Sequence, residues 1–118
     1  MSMRLFFKLA TLGFALAIAF FSLQPAGDYS GPVHADKVQH FLAYGTLTAF
    51  GAMGWPRQKL ILIVLVATIF GIGVEIAQGL GGQGRTPSVL DAIANGTGAG
   101  IAALMTAYIR KLRAMRSA

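Results

Sequence analysis

The sequence predicts an all-α, polytopic membrane protein: one domain over residues 1–118, four transmembrane helices, and both termini cytoplasmic. Three observations lead there. The chain is 55% hydrophobic and 12% charged, too oily for a soluble domain of 118 residues. Its apolar residues fall into four runs, each close to the roughly 20 residues that a bilayer requires. Eight of the ten Lys and Arg residues sit where an in-out-in-out-in path places one side: Arg4 and Lys8, Arg57 and Lys59, then Arg110, Lys111, Arg113 and Arg116. The other side holds only Lys37 and Arg85, so the excess of positive charge in cytoplasmic loops sets the orientation.

The same distribution explains a formal charge of +6 and a pI near 10.4. Cations just beyond apolar runs anchor spans and touch anionic headgroups, which makes membrane lipids the expected partner and argues against nucleic acid. The chain has no cysteine, so it has no disulfide, no thiolate nucleophile and no cysteine-held metal.

The first span covers about 5–23, with Lys8 close enough to its start to snorkel to the interface, and Gln24 and Pro25 stop it. A basic start and apolar middle also fit a signal peptide. The Gln24-Pro25-Ala26 run offers no small-x-small cleavage site, so the segment is expected to remain as a span. Residues 26–35 carry Gly27, Asp28, Ser30, Gly31 and Pro32, a turn-rich loop. The second span, about 38–55, ends where interfacial Trp55 meets Pro56, which cannot continue helical hydrogen bonding. The third, 60–80, runs without an ionisable group until Glu75, followed by Gln78. Gly79, Gly81, Gly82 and Gly84 then make a loop that bends at little cost. The fourth span, 89–109, opens with Ser88 and Asp91 in capping-box spacing and carries Gly96 and Gly100 in a GxxxG pattern suited to close helix packing or homo-oligomer formation.

Helix rise gives the depth of the polar residues. At about 1.5 Å per residue, His40 lies about 26 Å from Arg57, Glu75 about 24 Å from Lys59, and Asp91 about 28 Å from Arg110. Against a hydrocarbon thickness of roughly 30 Å, three separate segments put these groups near the outer interface. A weak internal echo accompanies this: Asp36 and His40 open the second span as Asp91 and Asn95 open the fourth, each pair four residues apart, as in two similar hairpins.

The candidate site is therefore Asp36, Lys37, His40, Tyr44, Glu75, Gln78, Arg85, Ser88, Asp91 and Asn95. Asp36, His40 and Tyr44 share one helical face. The imidazole of His40 can move protons, bind metal or donate to phosphate, with Asp36 fixing its tautomer; Asp36 with Gln39 also fits a plain helix cap. Glu75 is the costliest residue of the four spans and needs a partner or a proton, an ion pair with Lys37 or Arg85 being its structural explanation. Gln78 serves either a ligand or an interhelical hydrogen bond. Arg85 is shaped for two-point contact with phosphate or carboxylate. Ser88 and Asp91 are explained by capping alone, whereas Asn95, one turn deeper, is not. There is no HExxH, His34 and His40 do not share a face, and no GxSxG or Gly-Lys-Ser loop is present. No metal or cofactor is thus expected, and any catalysis falls to His40, Glu75 and Asp91.

The order Asp36-Lys37-x-x-His40-Phe41-x-x-Tyr44-x-x-Leu47, then Glu75-x-x-Gln78, then Arg85-x-x-Ser88-x-x-Asp91-x-x-x-Asn95-x-x-Gly98 resembles the VanZ-like family of small bacterial membrane proteins. The likeness covers roughly residues 36–100, and the glycine-rich loop before Arg85 departs from the pattern. It implies a bacterial cytoplasmic membrane setting and a link to resistance against glycopeptides such as teicoplanin. The expected function is recognition of an anionic or amide-bearing envelope molecule: a lipid headgroup, a lipid-linked cell-wall precursor or the glycopeptide itself. Lys37 and Arg85 would hold the anion while Glu75, Gln78 and Asn95 orient it. Two alternatives stand beside it: a membrane-surface hydrolase or transferase using His40 with Glu75 or Asp91 on a lipid phosphate or acyl linkage, and a structural subunit assembling through the small-residue face of the fourth span.

Overall fold

In a computed structural model the chain forms four helices: α1 (Met3–Ser22), α2 (Ala35–Gly54), α3 (Leu60–Leu80) and α4 (Val89–Arg116). The structure describes residues 1–25, 35–82, 84 and 86–118. Gln78 near the end of α3 bonds to Ser22 at the end of α1, Lys37 at the start of α2 meets Asp91 at the start of α4, and Arg110 late in α4 reaches Ala52 late in α2. The helices therefore alternate in direction within an elongated bundle of 54 × 30 × 22 Å.

Helix boundaries follow local chemistry. Ser2 caps α1 by accepting from the Leu5 amide at 3.2 Å. The third helix coincides with the expected 60–80. The second begins at Ala35, earlier than expected, and so carries Asp36 and Lys37 in its first turn. The fourth continues past 109 to Arg116, because Lys111, Arg113 and Arg116 are good helix formers whose charge suits the negative end of the helix dipole.

Three helices, α1, α3 and α4, are long and apolar enough to cross a membrane; α2 falls short, where four were expected. The physical reason lies in its position. α2 carries Asp36, Lys37, Gln39, His40, Thr46 and Thr48, yet it buries Tyr44, Leu47, Thr48, Gly51, Ala52 and Gly54, while α1 buries no residue at all. A helix enclosed by its neighbours need not be apolar all round. The surface shows the complementary pattern: Leu16 and Phe20 on α1, Ile61, Val66 and Ile69 on α3, and Leu104 and Met105 on α4 are exposed, while Thr48, Glu75, Gln78 and Asn95 are buried. A helical bundle in water sorts its side chains the other way.

The tightest contact is between α2 and α4. A Cβ built on Gly98 would lie 2.1 Å from the Phe41 carbonyl oxygen, and one on Gly45 would lie 3.3 Å from the Gly98 oxygen. Only a missing side chain allows that approach. The GxxxG pair does not make it: a Cβ on Gly96 would meet Thr68 at 3.8 Å, and one on Gly100 would meet nothing within 4 Å. On the other side of α2, Phe50 packs against Phe7 and Phe14 of α1 with centroids 5.7 and 5.8 Å apart, and the Lys8 ammonium lies 5.6 Å from the Trp55 ring.

Gly98→Ala is expected to lower stability by about 2 kcal/mol or more through forced separation of α2 and α4. Gly100→Ala should be neutral or stabilising by up to about 1 kcal/mol, since alanine favours helix where nothing crowds it. Thermal unfolding of the two variants in the same detergent distinguishes them, and equal losses would refute the packing role given to Gly98.

Candidate functional site

The end of the bundle formed by the C-terminal turns of α1 and α3 and the N-terminal turns of α2 and α4 gathers nine of the ten expected residues. The tenth, Arg85, lies outside the described residues. The shared depth inferred from spacing is thus a shared end, set by alternating helices of similar length.

Two rungs join α2 to α4 above the glycine crossing. In the outer one the Lys37 ammonium sits 2.5 Å from Asp36 Oδ2 and 2.6 Å from Asp91 Oδ1. One turn deeper, His40 Nδ1 and Asn95 Oδ1 are 2.9 Å apart. The amide oxygen can only accept, so Nδ1 carries the proton and Nε2 is left facing Asp91 Oδ2 at 3.5 Å. Both rungs pair residues that the internal echo makes equivalent, Asp36 with Asp91 and His40 with Asn95. Asp36 and Lys37 precede the apolar run of α2, and their charges support each other: the Lys37 hydrogen bond holds the Asp36 carboxyl below the usual carboxylate range. The bond to Asp36, then that to Asp91, raises Lys37. An ammonium held by two carboxylates is poorly placed to hold an anion, the part expected of Lys37. With Asp36, Glu75 and Asp91 against Lys37 alone, the described cluster is net acidic.

Asp36 is not a helix cap, since α2 already begins at Ala35 and the carboxylate turns to Lys37. The capping box at α4 is half formed. Ser88 Oγ accepts from the Asp91 amide at 3.2 Å, but the Ser88 amide donates to Glu75 Oε2 at 3.0 Å instead of to Asp91. That exchange satisfies one oxygen of a carboxylate only 4% exposed, places it at the positive end of the α4 dipole, and frees the Asp91 carboxylate for Lys37 and His40. Among the described residues Glu75 forms no ion pair, and its Oε1 has no hydrogen-bond partner. Asn95, 1% exposed, leaves Nδ2 unpartnered among the described residues.

Gln78 takes the structural option, donating to the Ser22 carbonyl at 2.6 Å and tying α3 to the end of α1. Tyr44 is buried with Leu47, Ala67 and Ala99, its ring 6.2 Å from Phe70 and seated over Gly71, where a Cβ would lie 2.9 Å from the tyrosine ring and 3.0 Å from Asn95 Nδ2.

Beside these residues a cleft of about 370 Å³ opens between α1, α2 and α3. Phe14, Ala17, Ile18 and Phe21 give it an apolar wall, while Gln39, His40, Tyr44 and Gln78 supply polar atoms. The polar residues are legible from their spacing but the cleft is not, because α1 contributes mostly apolar positions whose neighbours cannot be read along the chain. His40, Glu75 and Asp91, on three helices, bring ligand-capable atoms within 4.8 Å of one another, which spacing alone does not reveal. No known protein family, curated protein or solved structure matches the chain.

Lys37→Met and Asp91→Asn should be non-additive in thermal unfolding, with an interaction energy on the order of 1–2 kcal/mol, because either change alone already removes the contact that the two side chains share across α2 and α4. Additive effects would mean that the ion pair does not couple the helices.

Proposed function

We propose that this chain is a VanZ-like protein of the bacterial cytoplasmic membrane, crossing it four times with both termini inside, whose outward-facing cleft binds the headgroup end of an envelope amphiphile. Three apolar helices support the membrane setting, with α2 as a fourth span enclosed by the others. The even placement of eight cations at the far end supports the orientation. The family assignment rests on the order of the three polar motifs.

The observation that carries the binding reading is the make-up of the cleft. An apolar wall from α1 ends at His40, Gln39 and Gln78, a combination that suits a molecule with a hydrocarbon part and a polar head. Acidic excess near His40 favours a head rich in hydrogen-bond donors, such as the amides and hydroxyls of a lipid-linked wall precursor or a lipoglycopeptide. A purely anionic head would depend on Arg85 or on an added cation.

Filling the cleft tests this reading. Ala17→Trp should reduce binding of a lipid-linked wall precursor, or of teicoplanin, to the protein in nanodiscs at least tenfold while leaving the melting temperature nearly unchanged. Undiminished binding sinks the cleft as the site. Because the chain has no native cysteine, orientation is directly readable. Thr86→Cys should react with a membrane-impermeant maleimide in intact cells, and Ser117→Cys only after permeabilisation; the reverse pattern would invert the topology.

A further inference from the structure

The arrangement of His40, Glu75 and Asp91 is more specific than a polar patch. Each residue has two polar side-chain atoms, and in each one atom is already engaged. Asn95 Oδ1 faces His40 Nδ1 at 2.9 Å, the Ser88 amide donates to Glu75 Oε2 at 3.0 Å, and Lys37 Nζ is 2.6 Å from Asp91 Oδ1. What remains is one imidazole nitrogen, Nε2, and two carboxylate oxygens. The three residues bring ligand atoms within 4.8 Å of one another from three different helices. Glu75, at 4% exposure, is nearly out of reach of solvent, and its remaining oxygen has no partner among the described residues. An imidazole nitrogen facing two carboxylates is held there either by its own proton or by a cation lying between them. Lys37, the one described cation at this end, is on the outer side of Asp91 and bonded to Asp36 as well.

We infer that His40 Nε2, Glu75 and Asp91 bind a divalent metal ion of the zinc class. Ligand type leads to that class, and the one spacing between His40 and Asp91 agrees with it. Around a tetrahedral ion with ligands at about 2.0–2.1 Å, neighbouring ligand atoms stand about 3.4 Å apart. His40 Nε2 and Asp91 Oδ2 are 3.5 Å apart. A mixed set of one imidazole and two carboxylates suits zinc and its borderline neighbours, whereas calcium and magnesium take oxygen alone. Asn95, Ser88 and Lys37 then have the role typical of groups behind a metal ligand: they fix the histidine tautomer and the direction of each carboxylate. Three protein ligands leave a fourth position, and His40 also lines the cleft, so a phosphate or carboxylate on a bound amphiphile could occupy it. Metal binding itself does not depend on the amphiphile reading and is tested without any lipid ligand.

The full chain, purified in detergent and stripped with EDTA, is loaded with Co²⁺ or Zn²⁺ and desalted. One ion per chain, visible Co²⁺ absorption of tetrahedral intensity, and a melting temperature raised by several degrees are expected. Glu75→Gln retains an acceptor for the Ser88 amide and so should fold; it and His40→Ala should each weaken Zn²⁺ binding at least tenfold. His34→Ala, which removes the chain's other histidine, should not. An unvaried protein that retains no ion, an octahedral Co²⁺ spectrum with no shift in melting, or equal affinity in Glu75→Gln would overturn the site.

Discussion

The approach of α2 to α4 at Gly98 sets the geometry of everything around it. With no Cβ at this position the Phe41 carbonyl comes within reach of the α4 backbone, and the helices are close enough for short side chains to bridge them. His40 and Asn95 meet one step further out, and Lys37 and Asp91 one step beyond that. Polar groups removed from water are costly unless paired, so the bundle's cohesion at this end depends on both rungs being complete. Gly71 has the same role on α3, where its missing side chain makes room for Tyr44 and Asn95.

Most of the fold was legible in the sequence because apolar run length and cation placement are local properties. The limits of α3 came directly from the apolar run between Lys59 and the glycine loop. The span count did not follow as easily. Residues 38–55 look like a span when flanking breakers are weighed, but Asp36, Lys37, Gln39 and His40 dilute the helix that contains them. The partners of Lys37 and His40 on α4 make that dilution tolerable, and partners cannot be read from one segment. Conversely, the basic tail, expected to follow the fourth span, forms the last turns of α4.

At the site, depth was legible and pairing was not. Rise per residue put His40, Glu75 and Asp91 at one level, and alternating helices of similar length make that level one end of the bundle. Which group meets which depends on rotation about each helix axis. Ser88 and Asp91 illustrate this: their spacing fits a capping box, but Glu75, far away in sequence, takes the Ser88 amide and releases the Asp91 carboxylate. Nor does spacing reveal that Lys37, expected as an anion holder, is committed to Asp36 and Asp91.

The polarity of α2 bears on how the chain is made. Its ammonium and imidazole find their distant partners on α4, a helix synthesised after both α2 and α3. The segment least able to settle in hydrocarbon unaided is thus produced well before the one that completes it. Assembly of the bundle therefore cannot proceed helix by helix to a finished state: the start of α2 stays incompletely paired until Asp91 and Asn95 arrive.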